Sequence, residues 1–305
     1  MGKRLICLAA DKRYARYAYV TVFSLLKNRV AESPCEIALL ASSLSGELND
    51  AFSELNSSMV SIRIIDMEDY IEKFKLNYLF AARHLTIAAY FRLFIPEMFH
   101  DYEKVLYLDC DIIVSGNIEE LLAFDVSGAT LGALNDADRY RADADREAWI
   151  NKYLGIALKN YFCSGVLLFN IPECLAFGLT EKALVRASVI PEPQFADQDV
   201  LNAVCAGTVK QIPPEWHVMA YAIGKKRLQE VLSSRRQFLR DHYAYMKAAA
   251  HPKLIHYCGG MKPWSRPFLP LADVWWKYAE QTPLYGKYFK RTKANKADKN
   301  VLEIL

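Results

Sequence analysis

Short apolar runs alternate with stretches of helical periodicity over the first two-thirds of the chain. Residues 5–10 form an apolar run bounded by charge, which reads as a buried strand. Residues 15–26 follow with Tyr19, Val22, Phe23 and Leu26 at helical spacing. Residues 36–40 and 60–65 are two further strands, separated by a helix over 48–55 with Ser45 as its cap. Residues 86–99 carry helical period and end near Pro96. Strands are then expected at 105–108, 129–134 and 166–170, the last stopped by Pro172. A helix spans 196–204. Beyond Lys210 strands are hard to recognise, and the pattern predicts helices that wrap the sheet. Strand and helix in alternation predict an α/β fold with a central, mostly parallel sheet flanked by helices. In such sheets ligands bind past the C-terminal strand ends. Asp11 and Asp109 follow two of those ends, so the pattern expects them to be close.

Composition narrows the picture little. A chain of 305 residues, 52% apolar, can bury a large core, and a formal charge of +3 gives no reason to expect nucleic acid. Seven cysteines, at 7, 35, 110, 163, 174, 205 and 258, form no CxxC pair and no zinc spacing. That scatter fits a reducing compartment, and no apolar stretch is long enough to span a bilayer. The expectation is a cytoplasmic protein. Local charge is less even. Lys287, Lys290, Arg291, Lys293, Lys296 and Lys299 crowd one segment against Asp298, just after Trp275, Trp276, Tyr278, Tyr285, Tyr288 and Phe289. Basic and aromatic residues together suit an anionic membrane surface, at the inner face of the cytoplasmic membrane. A solvated, frayed terminus explains them equally well. The boundary of this tail is drawn at 266–305. Residues 136–147 (DADRYRADADRE) fit either a loop over the site or a plain surface insertion.

Chemistry first enters at residues 104–114, KVLYLDCDIIV. In an extended chain residues i and i+2 share a face, so Asp109 and Asp111 point the same way at the end of a buried strand. Two such carboxylates repel unless a cation lies between them, and oxygen ligands suit Mn²⁺ or Mg²⁺, which also hold a substrate's phosphates. Two classes of enzyme use this pattern. Phosphotransferases of the haloacid dehalogenase type make the first Asp a nucleophile, but need a later Lys and acidic pair that the chain does not offer. Nucleotide-sugar transferases hold metal on a diphosphate with both. Residues 256–264, HYCGGMKPW, favour the second. His256 can complete a coordination sphere, Gly259 and Gly260 let backbone N–H groups approach an anion, and Lys262 adds charge.

With these motifs in view, the chain resembles the retaining glycosyltransferases of family 8, especially bacterial lipooligosaccharide galactosyl- and glucosyltransferases. The likeness runs from AADKRY (9–14) through YFRL (90–93), YLDCD (107–111), SGVLLFN (164–170) and ADQDVLN (196–202) to HYCGGMKPW (256–264). The resemblance implies a GT-A nucleotide-sugar fold over 1–265 with a helical C-terminal extension. It implies a UDP-hexose donor, a saccharide or glycolipid acceptor and Mn²⁺, or Mg²⁺, on Asp109, Asp111 and His256. Asp11 would contact uracil and Tyr14 would stack on it, with Ala9 and Cys110 among the donor-binding residues. Arg92 would touch the donor, Asp197 the sugar hydroxyls, and Gln198 would lie beside the reacting carbon. Gly259 and Lys262 would hold the diphosphate.

Each has a plainer alternative. Asp11 also suits a helix N-cap, Tyr14 packing at the helix start, Arg92 a surface charge, and Asp197 the N-terminus of its helix. Two positions depart from the family pattern, which has Asn where this chain has Arg13 and Cys163. The second matters more, since an amide there is expected to bond the transferred sugar and a thiol is a weaker partner. A sugar-nucleotide binding protein with little turnover therefore stands beside the transferase. For the transferase, front-face attack is favoured over double displacement through Asp197.

Overall fold

The computed structural model describes residues 3–31, 33–74, 87–137, 144–191, 193–223, 237–266 and 268–291. The chain forms two compact units. The first comprises Met1–Ala18, Ala31–Cys110 and Glu119–Ile212; the second, Tyr19–Val30, Asp111–Ile118 and Pro213–Leu305.

The first unit is built on a seven-stranded sheet. Its strands are β1 (Arg4–Ala10), β2 (Cys35–Ala41), β3 (Val60–Asp66), β4 (Lys104–Leu108), β6 (Leu131–Ala133), β7 (Val166–Asn170) and β8 (Val209–Gln211), in spatial order β3-β2-β1-β4-β7-β6-β8. Only β7 runs against its neighbours, so the sheet is mostly parallel as the alternation predicts. β1 and β2 are apolar apart from Arg4 and Glu36, because both faces are covered. At the edge, β3 alternates Ile62 and Ile64 with exposed Ser61 and Arg63. β1 and β4 are parallel neighbours, pairing Leu8 with Leu108, so Asp11 and Asp109 follow adjacent strands at one end of the sheet. The reversed β7 starts at that same end, which brings in Ser164 and Gly165: the amide of Asp109 donates to the Gly165 carbonyl at 2.9 Å.

Several elements differ from expectation. Residues 87–94 are a 3₁₀ helix (Ile87–Phe94) and not part of one α-helix; Thr86 lies outside the described residues. Every side chain from Ala88 to Phe94 is buried, including Arg92, so no polar face exists for an amphipathic helix. Pro96 opens the short α-turn Ile95–Met98 instead of ending a helix, as its missing N–H allows at a first turn. Pro172 likewise starts the helix Ile171–Phe177 directly after β7. Ser45 stands at the N-cap of Gly46–Glu54, but its side chain makes no capping bond.

Beyond Lys210 the sequence predicts helical wrapping, yet the second unit contains a second sheet. β5 (Ile112–Val114), β9 (Val218–Met219) and β10 (Leu254–His256) lie in the order β5-β10-β9. Strands of two or three residues are too short for periodicity to reveal. Trp275, Trp276, Tyr278 and Phe289 are buried here, together with Leu284. These aromatics are core, and their reading as membrane-interface residues is corrected. Residues 292–305, with Lys293, Lys296 and Lys299, lie outside the described residues. No helix among the described residues is long and apolar enough to cross a membrane. None of the seven cysteines is in a disulfide, and all but Cys258 are buried.

Candidate functional site

At the sheet end in the first unit a buried polar array surrounds Arg92, whose exposure is 4%. The surface-charge alternative is excluded. Its Nη2 meets Asp109 Oδ1 at 2.9 Å and its Nε meets Asp197 Oδ2 at 3.1 Å. Nη1 donates to the Ser164 carbonyl at 2.7 Å, and the guanidinium lies 4.2 Å from the centre of the Tyr107 ring. Tyr107 also donates to Asp109 Oδ1 at 2.9 Å. The 3₁₀ turn delivers Arg92 here because the segment around it packs into the core on every side.

Asp197 and Gln198 open the helix Asp197–Val204. Ala196 before them has φ 41° and ψ −111°, a strained conformation for a residue with a Cβ. Ser164 Oγ donates to Asp197 Oδ2 at 2.8 Å. Burial pushes the Asp197 carboxyl up to about 7, against the opposing pull of Arg92. The Gln198 amide is fixed in orientation, because its Oε1 accepts from the Ser164 amide at 3.0 Å and its Nε2 donates to Asp136 Oδ2 at 3.0 Å. Nε2 also lies 3.2 Å from the Tyr161 hydroxyl, which donates to Asp199 Oδ1 at 2.6 Å. Arg146 closes the chain on Asp199 at 2.7 Å. Cys163 is buried beside Ser164, and its amide donates to the Leu134 carbonyl.

Asp11 receives the amides of Arg13 and Tyr14 on Oδ1, at 2.9 and 2.8 Å, and so caps the turn leading into the helix Ala15–Asn28. Its Oδ2 is 3.7 Å from Arg13 Nη2. Tyr14 is half-buried, edge-on to Tyr17 at 5.5 Å. Cys110 Sγ reaches the Ala9 carbonyl at 3.0 Å.

In the second unit, Asp111 Oδ1 lies 3.2 Å from His256 Nε2, and Lys262 Nζ bonds Asp111 Oδ2. Lys262 also donates to the Tyr257 carbonyl at 2.9 Å. Burial alone would raise the Asp111 carboxyl, but Lys262 and His256 outweigh it and hold the group below the ordinary carboxylate range. His256 is 1% exposed and its Nδ1 meets His217 Nε2 at 2.8 Å. Gly259 has φ +78°, which a side chain tolerates poorly. The extended-chain picture of the two acids is corrected in one respect: β4 ends at Leu108, and Cys110 and Asp111 form a turn.

Tyr107, Asp136, Arg146, Tyr161, Ser164, Asp199, Asn202 and His217 were not singled out from sequence. Tyr107, Ser164, Asp199 and Asn202 lie inside the motifs YLDCD, SGVLLFN and ADQDVLN, so a signal is present for them. Asp136 and Arg146 belong to the charged stretch read as loop or insertion, yet both are largely buried in polar contacts; 138–143 lie outside the described residues.

The mostly parallel α/β sheet, with acids and an arginine gathered past its strand ends, is a glycosyltransferase fold of the GT-A type. The model of the family described as Glycosyl transferase family 8 matches residues 5–267, and the chain belongs to that family. General stress protein A of Bacillus subtilis is 25% identical over 284 residues, 91% of this chain and 93% of that protein. A lipopolysaccharide 1,2-glucosyltransferase of Escherichia coli K12 is 31% identical over 182 residues, 59% of this chain and 49% of its own length. The galactosyltransferase LgtC, solved with donor and acceptor sugar analogues, shares the fold at a TM-score of 0.74 and 24% identity, over 91% of this chain and 96% of that one. The protein is a glycosyltransferase related to lipopolysaccharide glucosyl- and galactosyltransferases, and the phosphatase alternative falls.

Proposed function

We propose that the protein transfers a hexose, galactose or glucose, from a UDP-sugar to a saccharide or glycolipid acceptor with retention at the anomeric carbon. The reaction would serve synthesis of lipopolysaccharide or another cell-surface glycan on the cytoplasmic side of the membrane. The observation that carries this reading is the array of buried Arg92, Ser164, Asp197 and Gln198 with the partly exposed Asp109. Rigid, desolvated polar groups of this kind orient a sugar and stabilise charge as it develops.

Asp197 would accept hydrogen bonds from the sugar hydroxyls, with Arg92 aligning the carboxylate. Gln198, its amide held by Ser164 and Asp136, would lie beside the anomeric carbon. Asp11 would accept from uracil N3–H while Tyr14 stacks on the base, with Ala9 and Cys110 alongside. Cys163 would face the transferred sugar with a weaker partner than an amide. Asp111 and His256 suit a hard divalent cation, since the buried carboxylate there faces an imidazole nitrogen with Oδ1 and already attracts an ammonium with Oδ2. With Asp109, two residues away along the chain, they would hold Mn²⁺, with Mg²⁺ as a substitute. Bound there, the ion neutralises charge on the leaving diphosphate. Gly259 and Lys262 would hold the same diphosphate, Lys262 moving from Asp111 to the phosphate.

In the transfer itself, the acceptor oxygen bonds to the anomeric carbon as the bond to the phosphate oxygen breaks. The acceptor's proton passes to that departing oxygen and UDP leaves. Asp197 has two donors on one oxygen, which supports a binding role over that of a nucleophile.

UDP release measured with Mn²⁺ across UDP-galactose, UDP-glucose and UDP-N-acetylhexosamines, with saccharide acceptors, tests the proposal. Release is expected with one of the two hexoses and is expected to vanish with a chelator. Binding without release identifies a sugar-nucleotide binder, and no binding of any UDP-sugar overturns both.

A further inference from the structure

His217 has no part in the reactions above, yet it is fully buried, and its Nδ1 meets no hydrogen-bond partner among the described residues. Its other nitrogen, Nε2, lies 2.8 Å from His256 Nδ1, with the rings 27° apart and their centres separated by 5.1 Å. Strand register produces the meeting. β9 and β10 are parallel neighbours with Val218 beside Ile255, so His217, one residue ahead of β9, falls on the same face as Leu254 and His256.

Two neutral imidazole nitrogens at this distance share one proton, because two N–H groups would collide and two lone pairs repel. Two arrangements meet that requirement. In one, His217 donates from Nε2, and His256 keeps its own proton on Nε2, towards Asp111 Oδ1. In the other, His256 donates from Nδ1, His217 carries its proton on Nδ1, and His256 Nε2 turns a lone pair towards Asp111. Only the second leaves His256 able to bind a cation.

We infer that His217 is a positioning residue that accepts the Nδ1–H of His256 and so holds its ring and tautomer in the cation-binding form. Between the two forms the shared proton passes from His217 Nε2 to His256 Nδ1. His256 gives up its Nε2 proton on the Asp111 side to water, and His217 takes one proton from water on Nδ1. Both rings end neutral and the proton count is unchanged. A carboxylate or carbonyl acceptor would support only one of these states, whereas an imidazole supports both. This inference rests on the proposed cation site.

Mn²⁺ binding in the presence of UDP, followed by loss of the free-ion paramagnetic resonance signal, tests it on the wild type, His256→Ala, His217→Phe and His217→Gln. The wild type is expected to bind, and His256→Ala to lose binding. His217→Phe should bind about 10- to 100-fold more weakly, the usual effect of removing such a partner. His217→Gln, whose Oε1 can accept the same proton, should recover most of the affinity. In the Mg²⁺-loaded wild type, ¹⁵N resonances should place the His256 proton on Nδ1. If the wild type binds no Mn²⁺, the cation site fails and this inference with it. If the wild type and His256→Ala behave as expected, a folded His217→Phe that binds like the wild type overturns the role of His217 alone. So does a His256 protonated on Nε2 in the loaded protein. Should His217→Phe not fold, His217→Gln and the resonances decide.

Discussion

Arg92, itself buried, stands between buried Asp197 and partly exposed Asp109. Removing one member of a buried ion pair costs far more than the pair contributes, typically about 3–5 kcal/mol, because the partner charge is stranded. Arg92→Met is therefore expected to lower unfolding free energy in urea by about that amount. Adding Asp197→Asn should return part of the loss, since the buried carboxyl that Arg92 served is gone, and a double-mutant cycle reads the coupling. Simple additivity would contradict the array as described. Asp197 also sets a pH dependence. Its carboxyl is raised from the ordinary 3.8 to about 7 by burial, so the fold favours the protonated form. Its contribution to stability is complete below pH 3.8 and fades as pH rises, until it is lost above about 7. The stability of the wild type relative to Asp197→Asn should thus fall between pH 4 and 7 and then level off. A difference that stays flat across that range contradicts the assignment.

Elements owe their positions to side chains that bond backbone. Asn202, on the helix Asp197–Val204, accepts from the Phe162 amide at 2.8 Å and donates to the Phe162 carbonyl at 2.8 Å. That clamp ties the helix carrying Asp197 and Gln198 to the segment entering β7. Asn202→Ala leaves both Phe162 groups buried and unpaired, at about 1–3 kcal/mol each. The expected outcome is a matching loss in chemical denaturation together with a lower kcat, because Gln198 is no longer held against the Ser164 amide. Asn202→Asp keeps only the acceptor and should fall between. A variant with unchanged stability would show that the helix is held by other contacts.

At the scale of the whole molecule, the C-terminal segment divides into a packed part and a basic part. Leu284 and Phe289 are buried, and Arg291 pairs with Asp273. Removing residues 283–305 should therefore lower the melting temperature. The proposed contact with an anionic membrane would then rest on exposed Lys287 and Lys290 and on the lysines after Arg291. Co-sedimentation with anionic vesicles is expected to weaken in the 292–305 deletion; equal partition of both proteins would end that proposal.

Most strands of the large sheet, β8 excepted, were legible because burial on both faces writes an apolar run directly into the chain, as in β1, β2 and β7. The dispersed motifs likewise disclosed the family, whose model matches residues 5–267. Tertiary structure alone decided how those residues are used. Arg92 reads as a surface charge in a local pattern, and its burial depends on Asp109 and Asp197, which lie 17 and 105 positions away. The second sheet consists of strands too short to show a period, and His217 meets His256 only through their register. Local physics determines which segments can be strand or helix and which chemistry the chain carries. Pairing between distant segments determines which charges are neutralised, and no stretch of sequence holds both partners of such a pair.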